Sequence, residues 1–96
     1  MNIEFTKNEG ILNVNLIGRL DTITAPELDE FFASNLNGVS ELTINCEKLE
    51  YVSSAGLRVL LAVHKKMKGA LKLTSVQAAV MEVFEITGFA DILVIE

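Results

Sequence analysis

The chain has 96 residues, half of them hydrophobic, with one cysteine, one histidine and a net charge of −5. That is apolar material for one core, on the scale of a single domain of roughly 100 residues. The acidic balance argues against a duplex nucleic acid as partner. A lone cysteine leaves no intrachain disulfide or all-cysteine zinc site, and no apolar run approaches the roughly 18–20 residues of a membrane span.

The N-terminus, Met1-Asn2-Ile3-Glu4-Phe5, has no basic segment leading into a long apolar stretch. No signal peptide is therefore expected, and the chain, read as complete, is expected in the cytosol. Asn2 to Phe5 and Ile11 to Ile17 predict two strands joined by a Lys7-Asn8-Glu9-Gly10 turn; Leu12, Val14 and Leu16 alternate with Asn13 and Asn15. Thr24-Ala25-Pro26-Glu27 predicts the start of a helix: a capping hydroxyl, proline in the first turn and a glutamate three residues after the cap. Its apolar stripe is Leu28, Phe31, Phe32 and Leu36, and Asn37-Gly38 stops it.

Leu42, Ile44 and Cys46 alternate with Thr43 and Asn45, which gives a third strand and makes Cys46 a small buried hydrophobe. A second helix is predicted from Ser54 to Lys68, with Leu57, Leu60, Leu61, Val63 and Met67 inward and Arg58, Lys65 and Lys66 outward. The basic cluster at its end complements the helix dipole rather than marking a nucleic-acid site. Leu71 to Thr74 is a fourth strand. Ser75 is expected to cap a third helix with Val76, Val80, Val83 and Phe84 inward, and Ile92 to Ile95 is expected as a last strand. The order β-β-α-β-α-β-α-β predicts a small single-domain α/β sandwich with a mixed, mostly parallel sheet. In such a sheet the working face lies at the carboxyl ends of the strands, here in loops expected at Gly18–Thr24, Glu47–Ser54 and Ser75–Gln77.

Two hydroxyls, Ser53 and Ser54, stand where a strand-like run meets the second helix. There the first N–H groups are free and the dipole favours negative charge. A hydrolase nucleophile fits poorly, because Val52 occupies the place of the leading glycine in a nucleophile elbow. The only histidine, His64, lies ten residues along the same helix, about 15 Å away at 1.5 Å per residue. Neither glycine-rich phosphate loop pattern occurs around Gly18 or Gly56. No catalytic residue, metal site or cofactor is therefore assigned. Two roles remain for the serines, and they are compatible: a helix cap, and a covalent phosphate acceptor.

The segment Tyr51-Val52-Ser53-Ser54-Ala55-Gly56-Leu57-Arg58-Val59-Leu60-Leu61 resembles the phosphorylation segment of the STAS domain of anti-sigma factor antagonists. Gly18-Arg19-Leu20-Asp21 is similar to the Gly-x-Leu-Asp that follows the family's second strand, and Val80 to Phe89 to its last helix and turn. The resemblance covers residues 1–96 as one STAS domain and implies the STAS fold. It makes Ser54, two residues before the Gly-Leu pair, the expected phosphorylated serine. Ser53 stands where an aspartate is common and Ala55 where a second hydroxyl is common, while Asp21 matches a second acidic position. Asp21, Ser53, Ser54, Gly56, Leu57 and Arg58 are the implied partner-binding residues. Asp21 has an equally good role as a turn or cap residue. The implied partners are an anti-sigma factor that is also a serine kinase and a serine phosphatase of the metal-dependent class, with no nucleic acid and no membrane insertion. The alternative is a constitutive STAS scaffold subunit of a membrane-associated complex, for instance in lipid transport, with no phosphorylation cycle.

Overall fold

The computed structural model describes residues 1–96. Its elements are β1 (Asn2–Asn8), β2 (Ile11–Leu20), α1 (Ala25–Asn35), β3 (Glu41–Val52), α2 (Ser54–Met67), β4 (Leu71–Thr74), α3 (Ala78–Ile86) and a short 3₁₀ turn at Phe89–Asp91. The sheet order is β1-β2-β3-β4, with β1 antiparallel to β2 and the other pairs parallel. The first hairpin is tighter than the sequence suggests. Asn8 pairs with Ile11, and only Glu9 and Gly10 turn the chain, both at positive φ (51° and 83°), as a type I′ turn demands.

Alternation decides which face is covered. Leu12, Val14 and Leu16 of β2, Leu42, Ile44 and Cys46 of β3, and Leu71 and Leu73 of β4 are buried beneath the helices. The intervening Asn13, Asn15, Thr43, Asn45, Lys72 and Thr74 remain exposed or half-buried. Parallel sheets are usually covered on both sides; here short polar side chains let one face stand bare. Leu28 and Phe32 of α1, Leu57, Leu60 and Val63 of α2, and Val80 and Phe84 of α3 complete one continuous core. Phe5 stacks edge-on against Phe31 at 5.0 Å. Lys7 Nζ donates to the Asn37 carbonyl at 2.7 Å, offsetting the negative end of α1.

Several expectations change. β3 runs on to Val52, so most of the segment expected as the loop from Glu47 to Ser54 is strand, and β2 likewise continues through Leu20. The register explains why. Asn15 pairs with Asn45 but Ile17 with Lys48, and Gly18 with Leu49 but Arg19 with Tyr51, so β3 carries two bulges. Each inserts a residue, so the inward side chains Cys46, Leu49 and Val52 are spaced by three and the period of two is lost.

Thr24 precedes α1, yet its hydroxyl makes no cap bond there. Ser75 is not a cap at all: it lies at φ 55°, and α3 begins after Gln77. Leu61, expected inward, is half-exposed and lies outside the packed cluster. The last strand shrinks to one parallel bridge between Leu73 and Ile95. The turn at Phe89–Asp91 keeps the chain curled through Leu93, whose N–H donates to the Phe89 carbonyl at 2.8 Å, so few residues remain to extend along β4.

Candidate functional site

Because β2 and β3 are parallel neighbours, α1 and α2 both begin at the same end of the sheet. The join between β3 and α2 is a single residue. Ser53 is extended (φ −96°, ψ 174°), and its Oγ accepts from the Gly56 N–H at 3.2 Å, which makes it the N-cap. Its N–H donates to the Leu20 carbonyl at 2.8 Å, and its own carbonyl accepts from Leu57 N–H at 2.9 Å. Ser53 is thus fully occupied in tying α2 to the end of β2. Ser54, the first residue of the helix, is exposed, and its hydroxyl bonds to no other protein group. The two adjacent hydroxyls are physically distinct: one is structural, the other free.

Gly56 and Leu57 are not available to a partner. Both are buried, Leu57 at 4% exposure. A Cβ on Gly56 would stand 2.6 Å from Leu20 Cγ and 3.0 Å from the Leu20 carbonyl oxygen, so glycine here permits the close approach of α2 to β2. The Gly-Leu pair positions Ser54 and does not itself form contact surface. Arg58 is exposed, one turn beyond Ser54 on the same helical stripe, and forms no ion pair.

Asp21 organises the loop between β2 and α1. Its Oδ1 accepts from the N–H groups of Ile23 and Thr24, both at 3.0 Å, while its carbonyl accepts from Ala25 N–H at 2.8 Å. The Thr24 hydroxyl turns back to donate to the Arg19 carbonyl at 2.7 Å and accepts from Asp21 N–H at 2.8 Å. This is why Thr24 does not cap α1. The Thr24 N–H foremost, with the Ile23 N–H, the Thr24 hydroxyl and the Arg19 charge, holds the Asp21 carboxyl below the usual carboxylate range, against an opposing contribution from desolvation.

A depressed carboxyl contributes order that is present above its unfolded pKa of about 3.9 and lost as pH falls through the lower folded value. The loop should therefore keep its form at pH 5 and loosen only below about pH 4. Asp21→Asn, which retains the Oδ1 acceptor, should preserve loop amide protection in hydrogen exchange at pH 7, and Asp21→Ala should lose it. Equal protection in both variants would remove the structural role of Asp21.

Around this end lie features that residue patterns alone did not single out. The Arg19 guanidinium sits 4.2 Å above the Tyr51 ring, and Ile23 is 82% exposed. Glu47 and Glu50 border an open depression of about 330 Å³ together with Gly18, Lys48 and Gln77, and the Gln77 amide clamps the Glu47 carbonyl at 2.6 Å. Neither Ser53 nor Ser54 lines any depression; the largest, about 620 Å³, lies on the bare sheet face among Ile11, Thr43, Lys72 and Val94. Cys46 is fully buried, its thiol pushed up to about 12 by desolvation. His64 is half-buried on α2 with Nδ1 unpartnered. No helix is long and apolar enough to cross a membrane.

Comparison with known proteins adds three likenesses. The family model for the STAS domain matches residues 2–96. The anti-sigma-B factor antagonist of Bacillus subtilis is 32% identical over 97% of this chain and 88% of its own length. Among solved structures, a putative anti-sigma factor antagonist from Thermotoga maritima superposes with a TM-score of 0.87 at 18% identity, covering 97% of this chain and 84% of that one. The Bacillus cell fate determinant SpoIIAA in its phosphorylated form gives a TM-score of 0.74 at 15% identity, covering 99% and 91%.

Proposed function

The chain belongs to the STAS domain family of anti-sigma factor antagonists, and from that premise we propose that it docks its Ser54 end on an anti-sigma factor, releasing the sigma factor held there. The anti-sigma factor in this reading is also a serine kinase, and phosphorylation of Ser54 ends the complex. One observation carries the proposal: Ser53 alone fulfils the capping role, which leaves the exposed Ser54 hydroxyl uncommitted at the positive end of α2.

In the phosphoryl transfer, the Ser54 Oγ forms a bond to the γ-phosphorus of ATP as the bond to the bridging oxygen of ADP breaks. The serine proton passes to a base of the kinase, and ADP leaves. The product adds roughly −1.5 to −2 charges at the end of the molecule that already carries Asp21. The free N–H groups of the first helical turn and the dipole accommodate that charge, so the fold needs no rearrangement. Arg58, one turn on, is placed to pair with the phosphate. The effect on the partner is opposite: a surface that met a neutral hydroxyl now meets a dianion, and the complex weakens. A metal-dependent serine phosphatase resets the cycle by transferring the phosphoryl group to water. The existence of a phosphorylated form of SpoIIAA, a protein of the same fold, supports this reading.

The chain acts by binding, in the cytoplasm, and supplies a substrate serine rather than catalysis. Incubation with the anti-sigma factor kinase of the source genome and Mg-ATP, followed by peptide mass spectrometry, should place one phosphate on Ser54. Phosphate found only on Ser53, or none on either, overturns the proposal.

A further inference from the structure

We propose that Ile23 is the apolar anchor of the docking end, received by an apolar pocket with a basic rim on the anti-sigma factor; the inference rests on the function proposed above. Ile23 is the most exposed of the large hydrophobic side chains, at 82%. A lone exposed isoleucine is ordinarily unremarked, but this one is held out by construction. Its N–H is bonded to Asp21 Oδ1 at 3.0 Å, the next N–H to the same oxygen, and the Thr24 hydroxyl to Arg19 at 2.7 Å. The polar groups of the loop are tied back toward β2, while the apolar side chain points to water. Ile23 adds nothing to the core, and the loop's bonds would form equally well around a polar residue.

Such a residue is suited to binding. The backbone is already ordered and a β-branched side chain has few rotamers to lose, so little entropy is spent on association. Its location fits as well. The loop leaves β2 directly after Leu20, whose carbonyl holds the Ser53 N–H at 2.8 Å, so the anchor stands beside the phosphate acceptor. Tyr51, 39% exposed and stacked under Arg19 at 4.2 Å, extends the apolar surface with the residue types that dominate interface energetics.

Charge selects the occupant. Asp21 is a carboxylate throughout the neutral range, Glu50 is exposed on the adjoining end of β3, and the whole chain carries −5. A second copy of this chain would bring two acidic rims together, and an anionic membrane leaflet would be repelled in the same way. A protein pocket that is apolar within and basic around its edge is complementary.

The test is calorimetric titration of the anti-sigma factor kinase of the source genome with wild type, Ile23→Ser and Ile23→Val. Ile23→Ser should weaken binding roughly 10- to 30-fold with Tm unchanged, and Ile23→Val should recover most of the loss. In kinase assays Ile23→Ser should raise KM and leave kcat in place. Affinity of Ile23→Ser within about twofold of wild type, while wild type binds and is phosphorylated, overturns the anchor and leaves the proposed function standing. Wild type that fails to bind the kinase overturns the function and the anchor with it. Loss of a wild-type dimer in Ile23→Ser, seen by sedimentation, reassigns Ile23 to self-association and also overturns the proposal.

Discussion

Ser54→Asp should bind the anti-sigma factor on the order of 100-fold more weakly than Ser54→Ala, and neither variant should take up phosphate. The comparison is clean because Ser54 is exposed and contributes no capping bond, so both substitutions leave the helix start intact. Their effects on stability and on binding should run in opposite directions. Alanine is neutral in the first turn. Aspartate there interacts favourably with the helix dipole, worth about 0.3–1 kcal/mol, so Ser54→Asp should melt no lower than wild type. The same carboxylate, set against a complementary partner surface, introduces a desolvated charge with no counter-ion, which costs several kcal/mol at an interface. Ser53→Ala supplies the control: losing the cap should cost about 1 kcal/mol, or roughly 4–8 °C in a domain of this size, while Ser54 remains a kinase substrate. Isothermal titration and thermal melts of the three variants decide the matter. Equal affinity of Ser54→Ala and Ser54→Asp for the kinase would sink the charge-based switch.

The division of labour between Ser53 and Ser54 was legible before any coordinates, because a cap position and a glycine-leucine pair are local patterns read over a few residues. The strands and helices that build the core were legible for the same reason: Leu12, Val14 and Leu16, or Leu57, Leu60 and Val63, repeat at the period of their element. What the pattern hid was set by register. Had β3 kept the pairing that joins Asn15 to Asn45, Arg19 would face Leu49; the two bulges bring Tyr51 there instead, and the stacked Arg19–Tyr51 pair exists only because of them. Bulges also disguised the second half of β3 as a loop, since side chains spaced by three do not read as a strand. Thr24 shows a different failure. A hydroxyl before a helix has several partners within reach, and the Arg19 carbonyl and Asp21 N–H took it where a cap bond was expected. The end of the chain was misread because an apolar run of four residues carries no information about whether an edge is available to pair with it.

The glycine that the resemblance placed among the contact residues makes the second large prediction, on stability rather than binding. Gly56→Ala puts a methyl group 2.6 Å from Leu20 Cγ and 3.0 Å from the Leu20 carbonyl oxygen. Leu20 is fully buried in the core, so its side chain has no free space into which to retreat. Its carbonyl accepts the Ser53 N–H at 2.8 Å, so moving α2 away from β2 stretches the bond that seats the cap. Overpacking of this kind costs about 1–3 kcal/mol. Alanine recovers about 0.8–1 kcal/mol of helix propensity over glycine, which is too little to reverse the sign. Gly56→Ala should therefore lose about 1–2 kcal/mol in urea denaturation, and phosphorylation of Ser54 should slow as the acceptor is displaced. Partial rescue gives the mechanism away. Leu20→Ala alone opens a cavity and destabilises by about 2–5 kcal/mol, but combined with Gly56→Ala it provides the room the methyl needs. The double variant should be more stable than the sum of the singles by about 0.5–3 kcal/mol, the coupling expected of residues in direct contact. Strict additivity would mean that the approach of α2 to β2 does not depend on this contact, and that Gly56 holds its place for another reason.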